Sequence, residues 1–196
     1  MARSRPTGRR PTPRRTDAPD VAVAASGVGL APVLSLASAT LPRVWQGVGY
    51  RSLPDAATAR PLFDFAAVAW PETAAPAFCW GAHAGQPTGE RLVGAVVAER
   101  AERALTLYGP VVAVDTADAL EVAAQLVAAA VDHATALGVE TIFARPQGLD
   151  RVWIRHGFIP VPETALPPAL GGRLGAGLYA WRGGSALWTF REPARV

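Results

Sequence analysis

Side chains that move protons, attack electrophiles or bind metals are sparse in this 196-residue chain, and they fall into few patterns. One cysteine, Cys79, excludes an intramolecular disulfide and a cysteine-based zinc cluster. The three histidines, His83, His133 and His156, lie 50 and 23 residues apart, without the short spacing that brings two imidazoles to one metal. Glu99 ends an apolar run and stands beside Arg100, and Tyr108 directly precedes Gly109-Pro110. Asp118 and Glu121 are three apart at the head of a long apolar-periodic segment, the capping-box spacing with Asp in place of Ser or Thr. Arg151 and Arg155 are four apart, so on a helix they share a face and could meet an anionic group. The six tryptophans, Trp45, Trp70, Trp80, Trp153, Trp181 and Trp188, could line an apolar acceptor site or fill core and interfaces.

These residues need elements to position them. Pro61 suits a first helical turn, and Leu62, Phe65, Ala66 and Ala69 repeat at helical spacing, which predicts a short amphipathic helix over Arg60–Trp70. Ala77–Ala84 and Arg91–Glu99, separated by the turn-rich Gly85-Gln86-Pro87-Thr88-Gly89, read as a hairpin. Arg103–Val114 follows as a third strand, with a bulge expected at Gly109-Pro110 because proline is tolerated in a sheet mainly at edges and bulges. Asp118–Leu137 is the clearest helix, with an apolar stripe of Leu120, Ala124, Val127, Val131 and Ala134 and a glycine cap at Gly138. Val139–Ala144 reads as a buried strand, Leu149–His156 as a short helix capped by Gly157, and Phe158–Val161 as a further strand. Gly177–Arg182 and Ala186–Arg191 form a closing hairpin with aromatic surface enough for a homodimer interface. A long helix between two strands implies a parallel pair, while the hairpins imply antiparallel ones. The fold class expected is α/β, a mixed central sheet with helices on both faces.

Charge divides the chain. All 19 basic residues are arginine, and six of them fall in residues 1–20 against two aspartates, a net of +4. The remainder holds 13 arginines against 14 acids, a net of −1, so the pI near 9.7 belongs to the tail. A basic nucleic-acid-binding domain is disfavoured. Residues 1–20, rich in proline and arginine, lack the apolar surface to offset ordering and are expected to be disordered, with 21–196 a single domain. The stretch from Val21 to Pro42 is broken by Gly27, Gly29 and Pro32, so no membrane span is expected. Arg14-Arg15 with Ala37-Ser38-Ala39 loosely imitates a twin-arginine export signal. A strand at Val21–Val23 followed by a helix from Leu30 to Ala37 reads better, and a cytoplasmic location is expected.

From Val111 to Val161, the sequence VVAVDTADALEVAAQLVAAAVDHATALGVETIFARPQGLDRVWIRHGFIPV resembles the GNAT acyltransferases. The helix end Ala134–Gly138, the strand Thr141–Ala144 and the Gly157-Phe158 pair match in type and spacing, and the order of elements extends the likeness over roughly residues 20–182. The resemblance implies transfer of an acetyl group from acetyl-coenzyme A to an amine, on a small molecule or a peptide, without a metal. It implies Glu99 as a general base and Tyr108 as a residue touching substrate or cofactor. It assigns Val112, Val114, Ala119, Leu120, Glu121, Val122 and Ala123 to the coenzyme-binding strand end and helix start, and Trp153 to the pocket lining.

The chain departs from that family pattern where the coenzyme's phosphates bind. Ala119, Glu121 and Ala123 stand at the positions of the family's loop glycines, and Trp153 stands where many members carry a tyrosine that protonates the leaving thiolate. Indole donates a hydrogen bond but does not titrate, so it is no general acid. Asp118 and Glu121 would oppose an anion that the helix start favours. Weak or altered coenzyme binding is expected. The alternative is a catalytically degenerate domain of this fold that binds a small ligand or a protein partner.

Overall fold

The computed structural model describes residues 35–72, 76–86, 89–113, 116, 118–172 and 177–183, all within one unit that runs from Pro32 to Val196. The tail with Arg14-Arg15, the Val21–Val23 strand, residues 30–34 of the expected helix and the second arm of the closing hairpin lie outside the described residues, while Ala37-Ser38-Ala39 lies in a short helix. The elements in chain order are α1 (Leu36–Ala39), β1 (Arg43–Trp45), β2 (Val48–Ser52), a 3-10 turn at Ala56–Ala59, α2 (Arg60–Ala66), β3 (Phe78–Gln86), β4 (Gly89–Ala101), β5 (Ala104–Val112), α3 (Ala119–Ala136), β6 (Thr141–Ala144), α4 (Asp150–Arg155), β7 (Ile159–Pro160), 3-10 turns at Glu163–Ala165 and Pro168–Leu170, and β8 (Tyr179–Trp181).

The strands form one mixed sheet in the order β1-β2-β3-β4-β5-β6-β8-β7. Among the described residues only β5 and β6 pair in parallel, joined by α3, because a parallel neighbour needs a crossover. On one face α3 lies against β2 to β5, burying Leu126, Val127 and Ala130 against Val93, Val96, Leu105 and Leu107. Each such side chain contributes about 1.5–3 kcal/mol when fully buried. Gly94 lets the helix approach: a Cβ there would meet Leu126 Cδ1 at 3.1 Å and the Val111 carbonyl at 3.0 Å. On the other face α2 and the turn before it bury Phe63 against Cys79, Ala95, Val97 and Tyr108. Farther along that face Leu170 and Leu178 cover Phe143. The expected mixed α/β sheet with helices on both faces is what forms.

Several local expectations are corrected. The helix of Arg60–Trp70 stops at Ala66, where Ala67 takes a left-handed conformation (φ 52°). The chain then folds back so that Trp70 meets Phe63 edge to face at 5.0 Å. The buried side chain of that helix is Phe63, while Phe65, expected on the inner stripe, is 84% exposed. Leu120, also expected inward, is 63% exposed, because the α3 stripe is centred on Val122, Ala123, Leu126, Val127 and Ala130. The hairpin of β1 and β2 had no strand prediction. Gln46 and Gly47, both at positive φ, close it between paired Trp45 and Val48, the two-residue geometry that matches strand twist.

Candidate functional site

The strand β5 organises the site. It pairs with β6 only from Ala104 opposite Thr141 to Leu107 opposite Ala144. There β6 ends, while β5 runs on through Val112 with no further partner on that side among the described residues. At the point of separation β5 carries one more residue than β4, since Val97 faces Tyr108 while Ala95 faces Val111. The extra residue falls at Gly109-Pro110, the bulge expected there, and its peptide bond is cis. Gly109 has φ +86°, and a Cβ on it would meet the Val111 nitrogen at 2.9 Å and the Ala95 carbonyl at 3.0 Å, so glycine is required.

Side chains gather on the α2 face of this gap. Glu99 and Tyr108 are both buried, and the Tyr108 hydroxyl donates to the Glu99 carboxylate at 2.5 Å. The two stand on adjacent strands, with Glu99 opposite Thr106 and Tyr108 opposite Val97. Thr106, Tyr108, Gly109, Arg145 and Gln147 line a small pocket closed by Val68 and Ala69. The Thr106 hydroxyl is buried there with no hydrogen-bond partner among the described residues. An orphaned polar atom beside a pocket is a feature that water or a ligand commonly satisfies. Arg145 grips Glu163 with both terminal nitrogens, at 2.6 and 2.7 Å. That bond holds the Glu163 carboxyl below the usual range and the guanidinium above its own.

The head of α3 differs from the sequence expectation. Asp118 occupies the capping position in a left-handed conformation (φ 54°, ψ 37°), and its side chain caps nothing. Its carbonyl receives the N–H groups of Glu121 and Val122. The Glu121 carboxylate turns sideways, accepting from Gln125 at 3.0 Å and from Arg155 of α4 at 2.7 Å, and the Arg155 bond foremost lowers its pKa. No capping box forms, so the carboxylate expected to fill an anion site at the helix start is neutralised by an arginine. The N–H groups of Ala119 and Leu120 have no acceptor within the helix.

The remaining candidates separate cleanly. Val112 is half-buried at the end of β5, and Val114 lies outside the described residues. Val122 and Ala123 are wholly buried beneath α3. Trp153, 1% exposed, packs edge to face on Phe158 at 4.8 Å, so its indole is core and does not line the gap. Cys79 is a buried thiol pushed up to about 12 by burial, with the Asp55 carboxylate adding to the shift. His156 is held below its ordinary pKa, by burial first and then by Arg155. His133, likewise lowered by burial, accepts from the Trp80 indole at 3.1 Å and stacks on Phe78. Sequence reasoning missed Thr106 and Arg145. The break in strand pairing that exposes them to one pocket has no signature in a single sequence.

Among the described residues no group of three or more His, Cys, Asp or Glu is placed to hold a metal, and no helix is long and apolar enough to cross a membrane. No protein-family profile matches the sequence, and no curated protein matches it. Solved structures do. N-acetylglutamate synthase from Neisseria gonorrhoeae, solved with coenzyme A and N-acetyl-glutamate, aligns at a TM-score of 0.53 and 16% identity. The alignment covers 71% of this chain but 35% of the synthase, so the chain spans about a third of that protein's length. A domain from Methanocaldococcus jannaschii aligns at a TM-score of 0.50 and 10% identity, over 72% of this chain and 99% of the domain. A GNAT-family acetyltransferase from Staphylococcus aureus aligns at 0.45 and 14% identity, over 54% of this chain and 66% of that one. At these identities the likeness to the synthase and to the Methanocaldococcus domain is one of fold alone, and the chain has the mixed α/β, GNAT-like fold expected, in a divergent sequence.

Proposed function

We propose that the chain is an acetyl-coenzyme A-dependent N-acetyltransferase whose reaction centre is the gap where β5 leaves β6. The observation that carries this reading is the buried Tyr108–Glu99 pair at the bulge, beside a pocket with an unsatisfied threonine hydroxyl. Thr106 and Tyr108 on β5, with Arg145 and Gln147 across the small pocket, would hold the acyl end of the coenzyme. The main-chain N–H groups of Ala119 and Leu120 at the start of α3 would hold the coenzyme's diphosphate. Acetyl-coenzyme A, when bound, supplies an acetyl thioester.

The residues of the chain then handle one proton. A neutral amine is the attacking species, so an arriving ammonium first releases one proton to solvent, and the nitrogen gives up a second as the amide forms; that second proton is the one the chain handles. Tyr108 lines the pocket, and its own O–H already points at Glu99. The phenol oxygen accepts the amine proton while the phenol proton passes to Glu99, and the net change is a protonated carboxyl. As the C–N bond forms and the C–S bond breaks, the same path in reverse returns the proton to the departing thiolate. Trp153, buried in the core, takes no part. Tyr108 is therefore the catalytic residue, and Glu99 acts through it.

A second reading, a binding domain without transfer, rests on the Glu121–Arg155 pair, which leaves the α3 head without a cation committed to phosphate. Incubation with acetyl-coenzyme A and a panel of primary amines separates the two. The proposal expects free thiol to appear, and Tyr108→Phe to suppress it. Tight coenzyme binding with no thiol release from any amine favours the second reading.

A further inference from the structure

A second cavity is separate from the strand gap and has no role in the proton path. It measures about 580 Å³, within the roughly 300–1,000 Å³ typical of small-molecule sites. It opens where β2 ends and β3 begins, lined by Ser52, Asp55, Trp70, Phe78, Cys79 and His133 among others. Cys79 pairs with Val97, which pairs with Tyr108, so that wall is on the reaction face of the sheet, two strands away.

Three aromatic rings stand in its otherwise small-residue wall, and its charge has one sign. Phe78 and His133 stack at 4.2 Å with planes 17° apart, which fixes both rings at the cavity wall. Trp70 is held from behind by Phe63 at 5.0 Å and by the Arg60 guanidinium 5.3 Å from its ring. Arg60 is itself committed to Asp64 at 2.8 Å. Asp55 is the one carboxylate in the lining and has no ion pair among the described residues. One oxygen caps the following turn by accepting from the Ala57 N–H at 2.9 Å. The other is not used by that cap. The thiol and the imidazole in the lining are both kept neutral by burial.

We infer that this cavity binds a small organic ammonium ion with an apolar, preferably aromatic, body, its charge on Asp55 and its body between Trp70 and the Phe78–His133 stack. An aromatic wall favours a cation as well as an apolar group. As the acceptor site of the transferase this rests on the proposed function; as a binding site it does not.

The test is calorimetric titration of the full chain with phenethylamine, and with phenylacetate as the counterpart of opposite charge. Saturable binding of the amine is expected, with the carboxylate at least about tenfold weaker. Asp55→Asn keeps a capping residue, so the fold is retained, and amine affinity should fall about tenfold. Trp70→Leu, checked for an intact melting transition, should weaken it as well. No saturable amine binding, equal binding by Asp55→Asn, or equal binding of phenylacetate overturns the inference. Adding acetyl-coenzyme A separates the two claims. Amine binding that depends on Asp55 but yields no acetylated amine overturns the transferase reading alone. Acetylation that is unchanged in Asp55→Asn overturns the cavity as acceptor site alone.

Discussion

The two ends of the unpaired stretch of β5 are built on opposite principles. At the inner end, Tyr108 and Glu99 are buried among Val97, Val111 and Phe63 and hydrogen-bonded to each other, so their geometry is fixed by packing. At the outer end, where the chain enters α3, the charged groups are solvent-facing: Glu121 and Arg155 pair across two helices while Asp118 points to solvent. Polar groups held in an apolar bed keep one geometry and are expensive to alter, whereas exposed ion pairs are screened and exchange partners readily. The inner pair is therefore preorganised, and the outer end is adaptable.

The largest effect should come from the inner end. Glu99→Gln retains a side-chain acceptor for Tyr108 but cannot take its proton. Initial rates of thiol release should drop by about 10²–10⁴-fold with little change in melting temperature. An unchanged rate would show that the buried pair is structural. Trp153→Ala distinguishes core from cofactor contact: loss of a fully buried indole should cost about 3–5 kcal/mol, read by urea unfolding. A stability close to wild type would return Trp153 to the pocket lining. Gly109→Ala should cost about 1–3 kcal/mol, because φ +86° disfavours a side chain and the Ala95 carbonyl blocks it.

Acid should loosen the fold through its histidines. His83, His133 and His156 are each lowered from the ordinary 6.5, in every case chiefly by burial. The unfolded chain then binds those protons more tightly, so stability is full above pH 6.5 and drains as pH falls through 6.5 toward the folded-state values. The lowered carboxyls of Glu121 and Glu163 extend the loss only below their ordinary 4.5. Melting temperatures between pH 7.5 and 5 check this, and a rise on acidification would contradict it. The smallest effect belongs to the outer end. Glu121→Gln should leave the melting temperature unchanged but free Arg155, tightening acetyl-coenzyme A binding a few-fold in a titration. Weaker binding in that variant would mean that Glu121 positions the ligand.

The sequence made the long elements legible because each has a strong period. The hairpin of β3 and β4, the bulge before Pro110, the α3 helix with its Gly138 end and the strand at Thr141–Ala144 all formed where alternation, helical spacing or glycine required. Phase was harder to read than existence. In α3 alanine and valine occupy most of the girth, and in α2 Leu62, Phe63 and Phe65 point to different sides of a two-turn helix, so Phe63 and Val122 took the inward positions assigned to Phe65 and Leu120. The capping box failed because a tertiary partner, Arg155, outcompeted the local N–H groups for Glu121. Glu99 and Tyr108 could be picked out individually, but their mutual hydrogen bond comes from strand register. Arg145, Thr106 and the cavity around Asp55 depend on where β6 and β2 stop, which no local pattern encodes.

Calorimetric titration of acetyl-coenzyme A into the wild-type chain, repeated with Gly109→Ala, tests the strand gap most directly. The gap predicts saturable binding to the wild type and clear weakening in the variant whose bulge is distorted. Absence of heat and of any thermal shift at millimolar acetyl-coenzyme A, or equal affinity in both proteins, would contradict it.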